Sequence, residues 1–170
     1  PDDNIYLEPV SEQQARKLIH FAGKSALDID GLGRETVKPL MEHELASEFH
    51  DFFDLTKDEL LKLEGFEELK ANNLLAGITV AKKVELYRLL VGLSIPHVGE
   101  ENAILLANHF KTLQKLQSAS PEALSRIEGV GPIIGTSVAG WFADKNNKEM
   151  LARLLRHLKI QKVIPAKDGP

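Results

Sequence analysis

One short pattern recurs four times along this 170-residue chain and limits what it can fold into. Aligned on Gly33, Glu67, Gly99 and Gly131, the copies stand 34, 32 and 32 residues apart. Four positions before each anchor is an apolar residue (Ile29, Leu63, Ile95, Ile127), and one position before it is another (Leu32, Phe66, Val98, Val130). Four positions after it comes a residue that is mostly small: Val37, Ala71, Ala103, Gly135. Four matches in register are not a chance event, and a spacing of this size is that of a repeated supersecondary unit.

The fourth copy, Leu124 to Thr136, shows what the unit is. Leu124 and Ile127 close an amphipathic helix, Gly129 and Gly131 permit a positive-φ turn, and Pro132 sits where a first helical position tolerates a missing N–H. The reading is helix, hairpin, helix. The apolar tip residue tucks between the two helices, and the small residue stands where they would otherwise collide. Such a hairpin leaves the N–H groups of the second helix's first turn unpaired, beside the positive end of its dipole. With glycine at the tip an anion can approach closely. A lone Gly-x-Gly means no more than an inter-helix turn; the fourfold register gives it weight.

Apolar residues at three- and four-residue spacing run almost throughout, so the fold class expected is all-α. Thr56-Lys-Asp-Glu59 is a capping box, and Ser120-Pro121 pairs a cap with a first-turn proline. Further helices are expected at about 11–21, 35–43, 68–82, 84–93, 100–109, 132–142 and 145–157. Four tandem hairpins arrange as two paired lobes, 15–83 and 84–160, with residues 1–14 and 161–170 as linkers. Trp141 and Phe142 are expected in the core.

The net charge of −4 hides an asymmetry. Residues 1–85 carry 10 Lys and Arg against 18 Asp and Glu, whereas residues 86–170 carry 11 against 7, a balance of +4. The second half is the electropositive one, and the stretch from Lys145 to Lys162 is its most basic part. The chain has no cysteine, which excludes disulfides, thiolate metal sites and thiol catalysis. Neither an 18-residue apolar run nor a basic-then-apolar N-terminus is present. A soluble, cytoplasmic monomer without a membrane partner is expected, and the ends suggest a piece of a longer polypeptide.

Two such hairpins can grip the phosphates of opposite strands across a minor groove without reading base sequence. The stretches 16–22 (Arg-Lys-Leu-Ile-His-Phe-Ala), 27–33 (Leu-Asp-Ile-Asp-Gly-Leu-Gly), 60–66, 73–75, 93–100 (Leu-Ser-Ile-Pro-His-Val-Gly-Glu) and 127–132 resemble the helix-hairpin-helix region of bacterial NAD-dependent DNA ligases over about residues 14–160. The resemblance implies a piece that clamps nicked duplex DNA in replication and repair, while domains absent from this chain use NAD and do the chemistry. The family's Lys-x-Asp-Gly adenylation motif is missing, since Lys167-Asp-Gly169 lacks the intervening residue. No catalytic residue and no cofactor are therefore expected here. The family's four-cysteine zinc finger would overlap residues 5–10, which have no cysteine, so residues 1–14 read as a linker or degenerate finger remnant and no zinc is expected.

The expected phosphate-binding set is Gly31, Gly33, His97, Gly99, Arg126, Gly129, Gly131, Ile133, Lys145 and Lys148, with the third and fourth hairpins carrying most of the binding. His97 takes the first-glycine position of the third hairpin and either donates to a phosphate or caps the turn. Glu67 puts a carboxylate where the second hairpin would need glycine, so that hairpin is expected to pack and not bind. His43 and His50, with Glu44 and Asp54, read as a solvated acidic face and no metal site. Two other readings compete: a protein-interaction or architectural module of another repair protein, which the acidic first half suits, and a base-excision glycosylase, which nothing in the sequence marks.

Overall fold

The structure is a computed structural model that describes residues 9–163. Ten helices run in chain order among them: α1 Val10–Ala22, α2 Arg34–Glu42, α3 Lys57–Leu61, α4 Glu68–Ala81, α5 Leu86–Gly92, α6 Glu100–Phe110, α7 Leu113–Gln117, α8 Pro121–Ser125, α9 Gly131–Ala143 and α10 Lys145–Leu155. A 3-10 segment spans Phe49–Asp54, and two three-residue strands, β1 Lys83–Glu85 and β2 Lys159–Gln161, complete the set. The chain is predominantly helical, as its periodicity requires.

Local chemistry explains the short helices. Both α3 and α8 are five residues long and begin ten residues before a tip anchor. The Thr56 hydroxyl accepts from the Glu59 N–H at 3.2 Å, and the Ser120 hydroxyl accepts from the Ala123 N–H at 3.1 Å. The Glu59 carboxylate returns to the Thr56 N–H at 3.0 Å, completing the capping box. Without those caps a helix of this length has too few internal bonds to persist.

The buried residues form one continuous apolar cluster that runs through both halves of the chain. Phe21 of α1 lies in it, stacked on Phe49 with ring centroids 4.4 Å apart and edge-on to Phe53 at 6.4 Å. Helix α5 packs on the end of α1: the His20 ring lies 2.9 Å from the Val91 carbonyl, and the Arg88 guanidinium donates to the Lys24 carbonyl at 2.9 Å. Arg153 of α10 meets Glu48 at 3.3 Å, joining residues 105 apart. Trp141 is half-buried and Phe142 buried.

Several expectations need correction. The reading of a helix from residue 84 fails at its start. Val84 is buried between exposed Lys83 and Glu85, the alternation of a strand, and β1 pairs in parallel with β2, Val84 facing Ile160. Helix α1 starts at Val10, so residues 10–14 are helical and not linker. The rest of that linker or finger remnant, residues 1–8, lies outside the described residues apart from Pro9, as do residues 164–170 of the C-terminal linker. The 3-10 segment and α7 have no counterpart in the sequence reading. In the first, the Asp51 carboxylate accepts the N–H groups of Ser47 and Glu48, both at 2.8 Å. Burial pushes the Asp51 carboxyl up, but those two backbone donors outweigh it and hold it below the usual carboxylate range.

Candidate nucleic-acid interface

All four repeat copies fold into the same turn. The N–H of the tip residue (Leu32, Phe66, Val98, Val130) donates to the carbonyl three residues back (Ile29, Leu63, Ile95, Ile127) at 3.2, 3.1, 3.0 and 3.0 Å. The third residue of each turn is left-handed: Gly31 at φ 92°, Gly65 at 81°, His97 at 69° and Gly129 at 89°. A turn of this kind requires positive φ at its third position, which is why three of the four are glycine. All four tip residues are buried, and so are Val37, Ala71, Ala103 and Gly135 where the paired helices cross.

The anchor position separates the copies. Gly33, Glu67 and Gly99 share one backbone conformation, with φ −92°, −96° and −95° and ψ −172°, 172° and −166°. A Cβ added at Gly33 or Gly99 would meet no atom within 4 Å. Neither dihedral angle nor packing demands glycine at either place, and Glu67 shows that a long side chain fits the same turn. The bare backbone there faces only what comes from outside. Gly131 differs: its φ is 74°, so the fourth turn needs glycine for its own conformation.

Every helix that follows a tip lacks a side-chain cap, as α1 and α5 do too. Thr56, Thr112, Ser120 and Asp144 accept backbone N–H bonds at the starts of α3, α7, α8 and α10. The four helices that follow the tips, α2, α4, α6 and α9, have no side-chain cap. Their first-turn N–H groups are the orphan donors that an anion satisfies.

Acidic residues stand in the first turns of α2 (Glu35), α4 (Glu68) and α6 (Glu100, Glu101), but not of α9. Lys57 pairs with Glu68 and lowers its carboxyl pKa. The remaining expected residues fall into two groups. Arg126 is exposed at the end of α8, five residues before Gly131, and His97 is exposed at the third tip with its carbonyl accepting from the Asn102 side chain at 3.2 Å. Lys145 and Lys148 are exposed too, yet they belong to α10, which starts at the far end of α9 from the tip. Thirteen helical residues put about 20 Å between those ends, so the structure does not bring these lysines to the fourth turn.

Ile133 is 72% exposed at the third residue of α9. Sequence reasoning missed its counterpart: Leu69, two residues after Glu67, is 73% exposed. Aligning the even-numbered hairpins with each other would have shown the pair, since the odd ones have Glu35 and Glu101 there. Lys70, on the next turn position of α4, lies 4.5 Å above the Phe66 ring.

Turns of this geometry, each leading into a helix with no side-chain cap, are helix-hairpin-helix motifs, and residues 88–151 match the family described as the helix-hairpin-helix motif. Over most of its length the chain is also similar to bacterial DNA ligases. It is 46% identical over 138 residues to the DNA ligase of Chlamydia trachomatis serovar L2, covering 81% of this chain and 21% of the relative. It is 39% identical over 158 residues to that of Frankia casuarinae (93% and 22%) and 42% identical over 157 residues to that of Anoxybacillus flavithermus (90% and 23%). The chain spans about a fifth of the length of these curated relatives.

Proposed function

We propose that this chain is the non-catalytic, DNA-clamping region of a bacterial NAD-dependent DNA ligase. In this reading it holds duplex DNA around a nick through phosphate contacts that carry no base information, in the service of replication and repair in the cytoplasm. The observation that carries the reading is the bare, unstrained backbone at Gly33 and Gly99, set against Glu67 in the same conformation. Glycine that the fold does not need, at an uncapped helix start, supports close approach of an external anion. The resemblance to DNA ligases supports DNA as the source of that anion.

The pairing of hairpins one with two and three with four, as lobes 15–83 and 84–160, is part of the proposal. In each pair the tip of the first hairpin rests on the second helix of its partner. A Cβ on Gly77 of α4 would lie 3.2 Å from the Asp30 carbonyl oxygen, and Ser137 of α9 donates to the Pro96 carbonyl at 2.6 Å.

NAD does not fit the residues present. The sequence lacks Lys-x-Asp-Gly, its glycine turns join helix to helix, and the step from parallel strand β1 into α5 at Glu85–Leu86 has no glycine for a pyrophosphate to approach. The nick-sealing chemistry is assigned to parts of the parent outside this chain. Titration of a labelled nicked duplex at low and moderate salt tests the reading. Binding should weaken steeply with salt and be equal for shuffled sequences. Salt-independent binding or a strong sequence preference contradicts it, and no binding at low salt favours the architectural-module reading.

A further inference from the structure

We propose that His50, Asp54 and His157 form a binding site for a divalent transition-metal cation of the zinc type. The three come from segments about a hundred residues apart, two from the 3-10 segment and one from the turn after α10. Each offers one donor atom, and the three atoms lie within 4.8 Å of one another. The His157 Nε2 is 3.6 Å from an Asp54 oxygen, and the His50 Nδ1 is 3.7 Å from the other. A tetrahedral zinc with ligand bonds of about 2.0–2.1 Å separates its ligand atoms by about 3.3–3.4 Å, so small side-chain rotations close the site.

The hydrogen bonding around His50 makes this more than a cluster. Its Nε2 lies 2.7 Å from the Glu48 carboxylate. An ionised carboxylate only accepts, so Nε2 donates to it and Nδ1 faces Asp51 at 3.5 Å and Asp54 at 3.7 Å. A ring nitrogen set between two carboxylates is a place where a cation is stabilised, and a metal ion bound to Nδ1 would meet that need. A carboxylate holding the distal N–H is also the arrangement that orients metal-bound histidines. The second histidine is held as well: the His157 ring stacks on Phe53, with centroids 5.6 Å apart and planes 16° apart.

Charge favours a cation. Glu48, Asp51 and Asp54 face the site, and Arg153, which meets Glu48 at 3.3 Å, is the cationic side chain beside them. Both histidines are mostly buried, with side chains 18% and 24% exposed, while Asp54 at 60% leaves a path for an ion to enter. Two imidazoles and one carboxylate leave a fourth position for water, a donor set that suits zinc and disfavours magnesium or calcium. A bound ion would pin the 3-10 segment to the end of α10. The site is unrelated to a four-cysteine finger, for which the chain has no ligand.

The test is calorimetric titration of the tag-free, chelator-treated chain with zinc chloride, paralleled by cobalt(II) absorption. One equivalent of zinc should bind, tetrahedral cobalt bands should appear, and the melting temperature should rise with zinc concentration. His157→Gln and Asp54→Asn should each weaken binding tenfold or more, while His43→Gln should not. Asp54 is exposed, so its variant reports even if the His157 variant folds poorly. Glu48→Gln, which keeps a hydrogen-bond partner for His50 but removes its charge, should weaken binding about tenfold. Failure to bind one equivalent, or binding unchanged in Asp54→Asn, overturns the assignment and leaves the cluster as a hydrogen-bonded contact between the 3-10 segment and α10.

Discussion

Replacing Gly99 with aspartate should separate DNA binding from folding. The backbone at Gly99, φ −95° and ψ −166°, is open to any residue, and a Cβ there meets nothing within 4 Å. Aspartate is among the best N-caps and improves on glycine by a few tenths of a kcal/mol. The neighbouring Glu100 and Glu101 offset that gain. Stability should therefore stay within about 0.5 kcal/mol of wild type, a shift of no more than about 2 °C in melting temperature for a chain of this size. Binding should move the other way. The new carboxylate would occupy the N–H groups that the proposed phosphate contact uses and add a negative charge beside it.

Loss of one charged hydrogen bond alone is worth at least about 1 kcal/mol, roughly a fivefold rise in Kd. Gly131→Asp is the contrasting variant, because it must place a side chain at φ 74°, which costs about 1–2 kcal/mol in folding. Fluorescence anisotropy with labelled nicked duplex, alongside thermal melts followed by circular dichroism, reads both quantities. If Gly99→Asp binds as tightly as wild type, the third hairpin holds no phosphate. If it melts as early as Gly131→Asp, the claim that glycine is structurally dispensable there is wrong.

Three further outcomes are expected. His97→Gly should raise stability by up to about 1 kcal/mol by relieving φ 69° at a non-glycine residue, while weakening DNA binding severalfold; an unchanged Kd removes the imidazole from the contact set. Glu67→Gly should not weaken binding, since the backbone it leaves already matches that of Gly33 and Gly99 and a repulsive charge is gone; a severalfold loss in titration would contradict the assignment. Gly135→Ala should destabilise the fold by about 1–3 kcal/mol, because its Cβ would stand 2.6 Å from the Ser125 hydroxyl and 2.9 Å from the Ser125 nitrogen; an unchanged melting temperature would refute that α8–α9 contact.

Much of this was legible in local chemistry. The caps at Thr56 and Ser120 set α3 and α8, and the apolar residues around each anchor place every tip in the core. What could not be read locally depends on residues far apart. Strand β1 exists because Lys83–Glu85 meets Lys159–Gln161, and His157 joins His50 and Asp54 only through the packing of α10 on the 3-10 segment. Two glycines that look alike in sequence also proved different. Gly99 and Gly131 occupy the same repeat position, yet only the second has positive φ, and the conformational need common to all four turns falls two residues earlier. His97 shows that this need does not force glycine, at a cost of strain.

The copies alternate, and the alternation bears on how charge and geometry combine. Five residues before the anchor, hairpins one and three have left-handed Asp28 and Ser94, whereas two and four have Lys62 and Arg126 in helical conformation. Leu69 and Ile133 are exposed only in the even pair of positions, where the odd ones carry glutamate. The repeating unit is thus a pair of hairpins, which fits tips that rest on the partner's second helix. Within that unit, Glu67 has its counterpart in Gly131, and this is where the two pairs differ most in charge and backbone. The first pair presents one bare tip, at Gly33, in the acidic half; the second presents two, at Gly99 and Gly131, in the half with a balance of +4. Helix α9 also lacks an acid in its first turn and follows Arg126. If the chain grips both strands of a duplex as proposed, two bare tips side by side and the positive balance favour the second pair for the stronger hold. On the same reading the first pair, with its single open turn, should add contact area without setting the affinity.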